Sequence, residues 1–296
     1  MIDSTGAPAK PRGTMLLPLA AIVVAMVSVQ GGASYAKRLF PLVGAQGTTA
    51  LRLGIAAILL AIVMRPWRSR ISRTTAPALI GYGVALGAMN LMFYLSLRTV
   101  PLGIAVALEF LGPLAVAMLS SRRAIDFVWI ALAVAGVAVL LPIGASAHDV
   151  DPGGAALAIG AGIGWAFYIL FGQRAGAAHG AQTTAIGTAI AAIVVVPVGI
   201  AHAGADLLSA PLLWSGLIVA VLSSALPYSL EMMALTRLPT QTFGTLMSLE
   251  PAVAAVSGLA FLGETLTGVQ WLAIGAVMFA SAGTALTSRS TTVLHD

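Results

Sequence analysis

The sequence predicts an all-α integral membrane protein whose ten transmembrane helices form two inverted five-helix repeats, with both termini cytoplasmic. Three observations lead there. Of 296 residues, 59% are hydrophobic and 8% charged, where a soluble domain carries about 25% charged residues, and mean hydropathy is +0.98. The apolar residues fall into runs of about 20, the length a helix needs to cross a bilayer core and about twice that of a barrel strand. The two halves also repeat. Gly44-Ala-Gln-Gly-Thr-Thr-Ala50 recurs as Gly180-Ala-Gln-Thr-Thr-Ala185, an offset of 134 carries Pro77, Asn90 and Tyr94 onto Pro211, Ser224 and Tyr228, and an offset of 138 carries Pro101 and Pro113 onto Pro239 and Pro251.

In chain order the apolar segments are 16–35, 44–64, 77–97, 101–120, 126–143, 153–172, 181–201, 211–231, 240–261 and 267–287. Residues 1–15 form an N-terminal tail, 16–143 the first repeat, 153–287 the second and 288–296 a C-terminal tail. Lys10 and Arg12 before Leu16–Val29 have signal-peptide charge order, with an Ala-x-Ala-like end at Ser34-Tyr35-Ala36. Because many spans follow, an uncleaved first helix is expected.

With the N-terminus inside, the termini and even-numbered loops hold eleven basic residues: Lys10, Arg12, Arg65, Arg68, Arg70, Arg73, Arg122, Arg123, Arg174, Arg237 and Arg289. The other side holds three, Lys37, Arg38 and Arg98. That imbalance puts both ends in the cytoplasm and explains the arginine clusters as topology signals. Five helices per half is an odd number, so the second half enters from the opposite side. Such inverted repeats build many secondary transporters, with the substrate site near the midplane where the repeats meet; a duplicated scaffold of structural role only is the alternative.

Composition excludes much else. The net charge of +5 sits in short links and forms no stripe for nucleic acid, so no nucleic-acid partner is expected. With no cysteine, disulfides, thiolate metal sites and cysteine nucleophiles are absent. His148, His179 and His295 fall in loops or the tail and His202 at a helix end, which leaves no embedded acid–base pair for an intramembrane enzyme. No metal or other cofactor is expected; His148-Asp149-Val-Asp151 before Pro152-Gly153-Gly154 reads as a solvated turn. Gly83 with Gly87, and Gly160-Ala-Gly-Ile-Gly164, read as close helix packing.

Inside the spans four groups stand out because lipid cannot solvate them: Arg52, Asn90, Glu109 and Glu250. A carboxylate at mid-bilayer depth costs roughly 2.5 kcal/mol or more, so it marks a functional site unless compensated. Glu109 lies about 12 Å past Pro101 and Glu250 about 16 Å past Pro239 at 1.5 Å per residue. Proline lacks an N–H, so Pro113 leaves the Glu109 carbonyl without its helical donor, and Pro251 does the same to Met247. The breaks at Gly112, Pro113 and Pro251 therefore either line a substrate path or kink helices for packing. Arg52 either neutralises a glutamate or meets a substrate carboxylate. Asn90 with Tyr94, and Ser224 with Tyr228, either line the pocket or tie helices together.

The run Ser248-Leu-Glu-Pro-Ala-Val-Ala-Ala-Val-Ser-Gly-Leu-Ala-Phe-Leu-Gly-Glu-Thr-Leu-Thr267 resembles the closing signature of the EamA branch of the drug/metabolite transporter superfamily. Further matches cover Gln30–Ala45, Val100–Phe110, Gly112–Ala117, Ser120–Arg123 and Leu226–Met232, so the likeness runs from about Leu16 to Leu286. It implies a multi-pass carrier of the bacterial inner membrane, two inverted five-helix halves in the lipid bilayer. The implied activity is export of small hydrophilic amino acids, threonine and homoserine foremost, driven by protons. A broader metabolite or amino-acid-analogue exporter and a passive channel are the alternatives. The resemblance brings no ligand assignments, so the site residues rest on membrane depth alone. A zwitterion at mid-membrane needs an anionic and a cationic or dipolar partner, which Glu109 or Glu250 with Arg52 supply.

Overall fold

The computed structural model describes residues 13–69, 71–119, 124–140, 150–180, 182–235, 237–238 and 240–287. Among these residues it is all helix and turn. A bilayer offers the backbone no hydrogen bonds, so each apolar run satisfies its own N–H and C=O groups by coiling. Helices α1 (Gly13–Lys37), α2 (Phe40–Met64) and α3 (Ala76–Ser96) are long, whereas the fourth apolar run is split into α4 (Leu102–Glu109) and α5 (Leu111–Leu119). Then come α6 (Ala124–Leu140), α7 (Pro152–His179) and α8 (Gln182–Ala203). The eighth run holds α9 (Ala210–Ala220), a π turn at Val221–Ala225 and α10 (Leu226–Leu235). The ninth is α11 (Thr240–Met247) and α12 (Glu250–Ser257) with a π turn at Gly258–Leu262, and α13 (Gly268–Thr287) is last. Among the described residues seven helices are long and apolar enough to cross a membrane; Leu102–Val116, Phe127–Leu140 and Ala210–Ala225 are shorter apolar stretches.

Both expected proline breaks coincide with helix interruptions, at Phe110 before Pro113 and at Ser248–Leu249 before Pro251. Two boundaries differ from expectation. Helix α7 runs to His179, seven residues past the drawn end, because hydropathy stops at Gln173 and Arg174 while the backbone keeps coiling to Gly180. The eighth run continues to Leu235, which moves Glu231 from a helix end into a helix interior. At Gly44, φ is +69°, so α2 kinks where the sequence placed the start of the span; the His202 ring occupies the space a side chain would need.

The helices pack with α2 against α8, α3 against α7 and α8, α1 against α10, α6 against α13, and α4 against α12. Small residues permit this. A Cβ on Gly162 would stand 2.7 Å from the Glu109 carbonyl oxygen, and one on Gly112 would collide with the Gly162 backbone, so the α4–α5 break can touch α7 only through two glycines. A Cβ on Gly164 would lie 3.1 Å from Met89 and one on Gly87 3.2 Å from Ala191, in line with the packing expected for these glycines.

The two ends of the bundle are built differently. At one end His179 bonds Ser69 (2.8 Å) and Thr75 (2.9 Å), tying the arginine-rich α2–α3 link to the end of α7. At the other, Glu264 ion-pairs with Lys37 (2.6 Å) and accepts from the Leu102 amide (2.7 Å), while Arg38 donates to the Phe261 carbonyl (2.6 Å). Asp151 caps α7 by accepting from Gly154 N (2.6 Å) and Thr99 Oγ1 (3.1 Å), so this half of the expected solvated turn is an N-cap. His148 and Asp149 lie outside the described residues, as do both tails and the loop arginines Arg70, Arg122 and Arg123.

Candidate functional site

A cavity of about 270 Å³ lies between the halves, and Arg52, Asn90, Glu109 and Glu250 all line it. Each is at most 8% exposed. Three further polar groups join them, Gln30 from α1, Ser223 from the π turn and Glu231 from α10, and the walls are mostly apolar and aromatic, including Met89, Phe93, Trp165, Tyr168 and Phe243. Among the described residues none of the His, Asp and Glu groupings is placed to hold a metal ion.

Arg52 is held by a carbonyl that the chain has deliberately freed. Four residues after Ser223 comes Pro227, which has no N–H, so the Ser223 carbonyl lacks its α-helical donor. The Arg52 Nη2 donates to it at 2.9 Å. The same proline leaves the Leu222 carbonyl without the donor a π turn would use, and Ser28 Oγ fills that place at 2.7 Å. Beneath the guanidinium lies Tyr94, its ring centroid 5.3 Å from Arg52 Cζ, a cation–π arrangement that keeps the charge fixed without neutralising it. Tyr94 is thus behind the cavity wall, fully buried, supporting Arg52 and not lining the space.

The carboxylates form a sequence. Glu109 is within Coulombic reach of Glu250 and of Arg52, and Glu250 in turn of Glu231. Glu250 Oε1 accepts from Gln30 Nε2 at 3.1 Å, and its Oε2 has no hydrogen-bond partner among the described residues. Asn90 lines the cavity while donating one amide hydrogen back to the Leu86 carbonyl (2.8 Å). Trp165 stands edge-on to Phe110 with centroids 5.4 Å apart, and Tyr168 stacks on Tyr82 at 4.7 Å.

Other expected residues sit elsewhere. Ser224 is buried within the π turn, outside the lining, with its hydroxyl unpartnered among the described residues. Gly112 packs on Gly162, and Gly112, Pro113 and Pro251 lie behind the lining, where they interrupt the helices that carry Glu109 and Glu250. The Tyr228 side chain lies outside the described residues. Sequence reasoning missed Glu231, Gln30, Ser223 and the aromatic wall. For Ser223 the signal was present: the proline rule applied to Pro113 and Pro251 applies equally to Pro227.

The chamber holds three carboxylates, one guanidinium and a few neutral donors inside apolar walls, and its volume is below the roughly 300–1,000 Å³ of drug-sized pockets. That suits a small polar molecule bearing both charges. Helices able to span a membrane around such a buried, charged chamber define a membrane transport protein, and the comparisons with known proteins agree. Residues 152–286 match the EamA-like transporter family. The chain is 59% identical to the threonine/homoserine exporter RhtA of Escherichia coli (strain K12) over 95% of each chain. It is 26% identical to the uncharacterized inner membrane transporter YedA of the same strain over 91% of each. A crystal structure 17% identical in sequence, covering 96% of this chain and 99% of that one at a TM-score of 0.58, shares the fold. The chain belongs to the EamA-like transporter family, as the sequence motifs implied, and is a transporter and not an enzyme.

Proposed function

We propose that the chain exports small hydrophilic amino acids, threonine and homoserine foremost, across the bacterial inner membrane by alternating access coupled to protons. The observation that carries this is the pairing, in one small buried chamber, of an immobilised guanidinium with carboxylates: Arg52 takes the substrate carboxylate and Glu109 or Glu250 its ammonium. High identity to a relative named for threonine and homoserine export supports the substrate class.

The architecture proposed is ten crossings in two inverted halves, 16–143 and 153–287, with both termini cytoplasmic. Exchanging halves turns α1 into α7, α2 into α8, α3 into α9–α10, α4–α5 into α11–α12 and α6 into α13. Under that exchange the contacts of α2 with α8 and of α6 with α13 map onto themselves, and α3 with α7 maps onto α10 with α1. Such a packing pattern supports the inverted repeat. Toward the Lys37–Glu264 end Leu97, Val100, Leu102 and Ile104 are all fully buried. Toward the arginine-rich end its lining residues Glu231, Phe243 and Met247 are half-buried. This asymmetry fits a carrier ready to load from the cytoplasm.

Counterflow tests the function. Vesicles containing the purified protein and loaded with unlabelled threonine should accumulate external labelled threonine or homoserine transiently and saturably; flux that never saturates makes the protein a channel. Sidedness is tested in this cysteine-free chain. Cysteines at Ser209 and Thr74, both exposed, should differ, with Ser209→Cys labelled by an impermeant maleimide in cells whose outer membrane is permeabilised and Thr74→Cys protected. The opposite pattern reverses the orientation.

A further inference from the structure

We infer that Glu231 is the mouth carboxylate of the chamber, the group that receives the substrate ammonium at the arginine-rich end and passes it inward to Glu250. This rests on the proposed export of amino acids. Glu231 stands four residues before the last residue of α10, about 6 Å from the helix end, whereas Glu250 is ten residues into its run from Thr240, about 15 Å deep. The carboxylates are therefore graded in depth, and their electrostatic neighbours follow that order: Glu231 acts on Glu250, Glu250 on Glu109, and Glu109 meets Arg52.

Glu231 also differs from the deeper pair in how it is held. Glu250 is anchored by Gln30, and Glu109 lies within Coulombic reach of Arg52. No lysine or arginine among the described residues ion-pairs with Glu231, and it is half-buried at the chamber wall between apolar neighbours such as Phe243. A carboxylate placed there without a cation attracts one, and an α-ammonium is the cation that an amino acid brings. Among the described residues that line the chamber Arg52 is the cation, so past the mouth the substrate carboxylate meets none before it and the molecule enters ammonium first. Glu231 thus selects for a free amino group before the inner chamber reads the rest of the substrate.

The test uses oriented proteoliposomes with wild type, Glu231→Gln and Glu231→Asp. For threonine presented at the arginine-rich end, Glu231→Gln should raise KM about 10- to 100-fold, the worth of one charge-assisted hydrogen bond, with kcat kept within about twofold. Glu231→Asp should restore most of the affinity. KM for threonine presented at the opposite end should not move, while kcat from that end falls in proportion so that kcat/KM stays equal in the two directions without a gradient; a merely structural role would not predict this split. N-acetylthreonine should be a poor competitor of wild type. An unchanged KM, an equal rise of KM from both ends, or, for threonine presented at the arginine-rich end, loss confined to kcat overturns the role of Glu231 while leaving the exporter standing. Wild-type vesicles that move no threonine or homoserine overturn the function and this inference together.

Discussion

Glu109→Gln should abolish uphill, gradient-driven efflux of threonine and homoserine while leaving the protein in the membrane at normal abundance. Glutamine matches a protonated glutamate in shape, so the fold has nothing to repair, but it cannot exchange a proton. Glu109 is the carboxylate that meets both an opposite charge, Arg52, and a like one, Glu250. Gaining or losing its proton therefore changes what the chamber can hold more than the same event would elsewhere. Residual exchange in Glu109→Gln should lose its response to an imposed pH gradient, and Glu109→Asp should keep partial coupling. The measurement is flux in vesicles with and without the gradient, with Glu250→Gln run in parallel. Full gradient-driven export by Glu109→Gln sinks the assignment; loss of coupling in Glu250→Gln alone moves it to the second half.

Substituting Arg52 should be as damaging for a different reason. Arg52→Leu removes the proposed cationic partner of the substrate and the hydrogen bond from Nη2 to the buried Ser223 carbonyl, and a lost bond of this charge-assisted kind costs about 1.5–3 kcal/mol in stability. Arg52→Lys keeps the charge but loses the planar fork that both reaches Ser223 and lies over Tyr94. Transport efficiency, kcat/KM, should fall about 10- to 100-fold in Arg52→Lys and to background in Arg52→Leu. Pro227→Ala supplies a sharper control. It returns an N–H to the helix to compete for the Ser223 carbonyl, so export should drop severalfold with every charge in place. Arg52→Lys transporting like wild type would show that the position needs charge alone.

Reading the sequence found the groups whose presence in lipid is expensive, and little beyond them. Arg52, Asn90, Glu109 and Glu250 were legible because a polar side chain amid twenty apolar ones has no cheap explanation. Glu231 was not, because hydropathy drew the eighth segment to end there, and near a helix end a carboxylate is unremarkable. The aromatic wall was invisible for the opposite reason: Phe93, Trp165 and Tyr168 look like any membrane residue until folding turns them toward one space. Lys37 and Glu264 lie in links 227 residues apart that sequence reading treats only as topology or family signature, so their ion pair required the structure.

On the proposed inverted repeat, the π turn at Val221–Ala225 has a consequence for how the halves correspond. The offset of 134 residues is the same before the turn, from Pro77 to Pro211, and after it, from Tyr94 to Tyr228. Helix α3, however, is regular throughout, whereas the π turn consumes roughly one residue without its share of rotation. Equal counts therefore yield unequal azimuths, and past Val221 the second copy is swung by about 100° relative to the first, the angle of one α-helical residue. The position matching Glu231 is Leu97, which the first copy seals in its core at 0% exposure. One slipped rung in a hydrogen-bond ladder thus lets the two proposed copies keep their alignment while the helix beyond it faces a new direction, so that the two ends of the chamber differ chemically.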